Sequence, residues 1–110
     1  MNNKILVDAV AVDTGATHNS TVENFHMPKG NRGLAAFKVA SYAGSGNVAF
    51  KLEGRTNSNM DWATVSNTGV NIASSITTYV EDVQLYPEMR AVVTAAAGVT
   101  AATVSVHVGG

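Results

Sequence analysis

Cysteine is absent from this chain of 110 residues, so no disulfide, thiolate metal site or thiol nucleophile can be built from it. Histidine is sparse. His18, His26 and His107 lie far apart and never show the i, i+4 spacing of a helical metal pair, so they read as ordinary surface or loop residues and no cofactor is expected. Charge is scarce too: seven basic and eight acidic residues nearly cancel, and only 14% of residues are charged. With no broad electrostatic field, neither nucleic acid nor an anionic membrane is an expected partner. Long apolar runs are missing as well. The longest, Ile5 to Val12, is broken by Asp8 and falls far below the roughly 20 residues of a spanning helix. Without a basic lead or a cleavage pattern of small residues, the sequence predicts a soluble protein made in a cytoplasm.

What remains is Ala, Val, Thr, Ser, Asn and Gly. The length suits one domain, residues 1–110, with residues 1–4 as a possible N-terminal arm. So little charge is unusual for a lone monomer, whose surface normally carries more to keep copies apart, and it points to a homo-oligomer or a symmetric multi-copy assembly.

The pattern is β throughout. "KILVDAVAV" is β-branched, short and closed by Asp13-Thr14-Gly15, which is turn chemistry. "GLAAFKVASY" and "NVAFKLEGR" flank Ala43-Gly44-Ser45-Gly46 and read as a hairpin; Val48, Phe50 and Leu52 share one face, Ala49, Lys51 and Glu53 the other. "DWATV", "GVNIA" and "TTYVEDV" are shorter candidate strands. Tyr86-Pro87 then interrupts, removing any helix over "YVEDVQLYPEMRAVV". "MRAVVTAA" and "AATVSVHV" flank Ala97-Gly98-Val99-Thr100 and read as a second hairpin, with Val104, Val106 and Val108 on one face. Seven or eight such strands predict an all-β fold, a single antiparallel sandwich of jelly-roll-like order, with an immunoglobulin-like order as the alternative.

Two stretches carry a functional signal. "VDTGATHN" resembles the active-site loop of retroviral-type aspartic proteases, which would make Asp13 the catalytic carboxylate of a homodimer whose two aspartates share a proton. Met60-Asp61-Trp62 echoes that family's second motif. Asn57, Ser58 and Asn59, however, stand where an apolar pair and a glycine should be, and the strands after Met60 exceed what such a protease contains.

The second signal covers most of the chain: "GSGNVAFKLEGRTNSNMDWATV", a strand, polar turn and tryptophan, followed by "VQLYPEMRAVVTAAAGVTAATVSVHV". This rhythm resembles small β-sandwich proteins of tailed-bacteriophage virions, particularly head decoration or cement proteins. The turn at Thr56 to Met60 departs in lacking a glycine, although Asn tolerates positive φ. The resemblance implies no catalysis: a protein on the capsid exterior, made in the host cytoplasm, that bridges major capsid protein subunits and stabilises the shell through many weak, symmetric contacts. Candidate contacts are Met1, Asn2, Asn3 and Lys4, with Phe25, His26, Met27, Lys29 and Arg32 from the loop "FHMPKGNR".

A glycan- or host-binding module of the same fold is the runner-up, the aspartic protease the third reading. In the glycan reading Trp62 stacks on a sugar while Asn57, Asn59 and Asp61 bond its hydroxyls; otherwise Trp62 plugs one end of the sandwich. Arg90 is expected to pair with Glu88 or Glu53, and Glu81 and Asp82, on opposite faces of a strand, cannot form a carboxylate dyad.

Overall fold

The computed structural model describes residues 3–25 and 32–109, and all its regular structure is strand. In chain order these are β1 (Asn3–Val12), β2 (Thr17–Asn19), β3 (Glu23–Asn24), β4 (Arg32–Gly44), β5 (Val48–Arg55), β6 (Ala63–Thr64), β7 (Val70–Ile72), β8 (Thr77–Gln84), β9 (Glu88–Ala95) and β10 (Val99–Gly109). Every pairing is antiparallel. One sheet has the order β1-β10-β4-β8. In the other, β9 and β5 are central, with β2 and β3 along the free side of β9 and β6 and β7 along the free side of β5.

Counting β2 with β3, and β6 with β7, as single interrupted strands leaves eight. The chain then crosses between the sheets at every connection except that from β5 to β6, which is the jelly-roll order. An immunoglobulin-like sandwich would place its first two strands side by side, whereas β1 pairs with β10.

The alternating positions read from the sequence do form the core. Val48, Phe50 and Leu52 are buried, as are Val104, Val106 and Val108. They meet Phe37, Val39, Leu85, Met89 and Val93 between the sheets, and the Phe37 and Phe50 rings pack across the interior at 5.4 Å. Each such side chain removed from water contributes about 1.5–3 kcal/mol.

Both expected hairpins are corrected. β4 pairs with β10 and β8, whereas β5 pairs with β9, so Gly44 to Asn47 is a corner from one sheet to the other. Likewise β9 and β10 lie in opposite sheets and Ala96-Ala97-Gly98 turns between them. Period-2 alternation shows that one face of a strand is buried. It does not show whether the next strand lies beside it or across the core.

The two corners lean on each other, since the Ser45 N–H donates to the Gly98 carbonyl at 2.9 Å. A Cβ on Gly44 would strike the Gly98 carbonyl oxygen, and one on Gly98 would strike Ser45, so this contact admits only glycine. Three strands of the β1 sheet are also bulged. Ala9, Ser41 and Asp82 take φ of 51°, 54° and 61° at the register shifts of β1, β4 and β8.

Candidate interaction surfaces

The outer face of the β1-β10-β4-β8 sheet presents one register row, Ile5, His107, Ala36 and Tyr79, one residue from each strand. Leu34, opposite Gly109, stands in the neighbouring row. Ile5 is 53% exposed, Leu34 44% and Tyr79 64%. Beside the row lies a mainly apolar groove of about 760 Å³, walled by Ile5, Leu34, Ala36, His107 and the Arg32–Asp82 pair. These residues arise because β4 is apolar on both faces: Ala35, Phe37 and Val39 enter the core, leaving Leu34 and Ala36 outside. That out-of-phase pair in "GLAAF" is the sequence signal that marks the surface.

The contact segments predicted from sequence fare differently. Asn3 and Lys4 belong to β1, opposite Gly109 and Val108, and so form no separate arm. Phe25 is unavailable to a partner, being 5% exposed in the core with its N–H donating to the Pro87 carbonyl. Arg32 has an internal role at the β8 bulge: Nε donates to Asp82 Oδ1 at 2.9 Å, Nη1 to Gln84 Oε1 and Nη2 to the Asp82 carbonyl. Met1, Asn2, His26, Met27 and Lys29 lie outside the described residues.

On the opposite sheet, Trp62 is corrected from an end plug to a lid on the outer face. Leu52, Gly54, Met89 and Ala91 point inward, which turns Glu53, Arg55, Glu88 and Arg90 outward. There Arg55 pairs with Glu88 at 2.8 Å, and Arg90 with Glu53 at 2.7 Å, the latter as expected. Lys51 reaches the same Glu53 at 3.6 Å. Both guanidiniums lie over the Trp62 ring, 4.1 Å and 4.5 Å from its centroid. The indole is thus stacked on arginine. Asn57 Oδ1 accepts the Asn59 N–H at 2.9 Å, which closes the polar turn despite its missing glycine; Asn59 and Asp61 are exposed beside it. Glu81 and Asp82 are both exposed, because the bulge at Asp82 breaks the alternation expected there.

Asp13-Thr14-Gly15 is the corner that carries β1 into β2. The Thr14 N–H donates to the Val99 carbonyl at 2.8 Å, Gly15 N–H to that of Ala96, and Ala16 N–H to that of Asp13. This loop therefore packs on the β9–β10 corner through its backbone, with Asp13 exposed. Compared with known protein families, curated proteins and solved structures, the chain matches none.

Proposed function

We propose that this protein is a virion structural component that decorates a tailed-bacteriophage capsid, bridging major capsid subunits and catalysing no reaction. The observation that carries the reading is the outer face of the β1-β10-β4-β8 sheet, where Ile5, Leu34 and Tyr79 are exposed around Ala36 and His107. Large apolar side chains grouped on an otherwise small and weakly charged surface mark a contact site. A closely packed core lies behind them, and Ala and Ser beside them lose little side-chain entropy when an interface forms. The resemblance of the "NVAFKLEGR" to "SVHV" stretch to decoration proteins supplies the identity of the partner.

The test mixes the purified protein with expanded capsids lacking it. Co-sedimentation and greater heat resistance of the shell are expected, and both are lost in Leu34→Lys, which charges the face without touching the core. A wild-type protein that stays in the supernatant refutes the reading.

A further inference from the structure

The free edge of β8 carries a second kind of surface. β8 pairs only with β4 among the described strands, so one side of its backbone has no ladder partner. Which groups face outward follows from the register. The Val39 N–H donates to the Ile76 carbonyl, and Val39 and Ile76 continue the series Phe37↔Thr78 and Ala35↔Val80. In an antiparallel ladder the hydrogen-bonded pairs alternate, so Thr78 and Val80 turn their N–H and C=O toward β4, as Ile76 does its C=O while its N–H donates to the Ser74 carbonyl, and Thr77, Tyr79 and Glu81 turn theirs away from it.

Sheet edges are normally blunted, and most edges here are. β2 and β3 have 3 and 2 residues, and β6 and β7 have 2 and 3. β1 is bulged at two places and carries exposed Asp8 within the second. β8 differs. From Thr77 to Val80 it runs regular, uncharged and rich in β-branched and aromatic side chains, and its bulge and charges begin only at Glu81 and Asp82.

We infer that two copies of this chain pair through β8, antiparallel across a two-fold axis centred on Thr78, to make one continuous eight-stranded sheet. The edge requires a partner that is extended, uncharged over these residues and itself unpaired on one side. Among the described strands only β8 of a second copy meets all of these conditions. In the Thr78-centred register Thr77 faces the copy's Tyr79 and the two exchange both backbone hydrogen bonds, which the two-fold repeats. Ile76, half-exposed although it lies on the inner side with Val39, meets the copy's Val80. Glu81 falls opposite the copy's Ser75 and meets no like charge.

This pairing is independent of the capsid reading and has its own readout. Light scattering at about 100 µM, where a dimer with a Kd of about 1 µM is nearly fully formed, is expected to return twice the 11.4 kDa chain mass. In hydrogen exchange, the Thr77 and Tyr79 amides become protected as concentration rises, while those of Thr78 and Val80 are protected throughout. Thr78→Cys, in a chain with no other cysteine, oxidises to a disulfide-linked dimer, because facing residues of a non-hydrogen-bonded pair lie within disulfide reach. Tyr79→Pro removes an outward N–H that the monomer does not use, and is expected to give a folded monomer by circular dichroism. A wild-type monomer at that concentration overturns the inference. So does a dimer that persists in Tyr79→Pro while the Thr77 and Tyr79 amides of the wild-type chain stay unprotected as concentration rises, which would place the contact elsewhere.

Discussion

Ser20 and Thr68 perform the same task on opposite sides of one sheet. Leu52 and Ala91 are register partners on the two central strands, β5 and β9, and each lies where the neighbouring edge strand is interrupted. Ser20, between β2 and β3, accepts the Ala91 N–H on Oγ at 2.8 Å and donates to the Thr21 carbonyl. Thr68, between β6 and β7, accepts the Leu52 N–H on Oγ1 at 3.1 Å and donates to the Val65 carbonyl at 2.7 Å. A hydroxyl thus completes the row where the backbone ladder stops. Ser20→Ala and Thr68→Val should each cost about 1–3 kcal/mol in urea unfolding, because each leaves a buried amide without its acceptor. Trp62→Ala should cost about 1–2 kcal/mol, the sum of two cation–π contacts, and Asp13→Asn should stay within about 0.5 kcal/mol of wild type, as its exposed side chain holds nothing described here. None of this hierarchy was legible beforehand. Ser20 and Thr68 sit in polar runs that read as turns, and Trp62 drew attention for its ring while its partners, Arg55 and Arg90, were distant in sequence. That Arg90 pairs with a carboxylate was legible, because an arginine on an apolar strand needs one; the choice of Glu53 over Glu88 came from the fold, which gives Glu88 to Arg55.

At the scale of elements, the long strands were legible and their partners were not. β1, β4, β5, β8, β9 and β10 all announce themselves by alternation or β-branched composition. β2 and β3, "THN" and "EN", are polar and too short to show a period; they are strands because β9 offers them a ladder. In the sequence the corners read as hairpins because Gly-Ser and Ala-Gly sequences suit either. What distinguishes them is the crowding of Gly44 against Gly98, a contact between residues 54 positions apart (98 − 44) in the chain. Crowding of the same sort occurs at Gly54, where the Tyr86 ring lies on the backbone and a Cβ would collide with it. Gly54→Ala is therefore expected to destabilise by about 1–3 kcal/mol. In a Tyr86→Ala background the same change should cost much less, since the two residues are in contact and their effects couple. Equal costs in both backgrounds would show that Tyr86 is not the obstacle.

For the whole molecule, the two outer faces divide between self-containment and exposure. Over Trp62, the second sheet closes its charges on one another in cross-strand pairs, leaving a satisfied surface. The first sheet leaves Ile5, Leu34 and Tyr79 open beside a groove. Low overall charge pointed to assembly, but only the fold shows which face has the apolar excess, because strand order decides that Ile5, Ala36 and Tyr79 fall in one row. The proposed function has this face meet the capsid. A reconstruction of expanded capsids carrying the protein is the decisive measurement: density is expected with Ile5, Leu34 and Tyr79 against the shell and Trp62 turned outward. Ordered density with the Ile5–Tyr79 row facing solvent, or a shell that binds no protein, would rule that contact out.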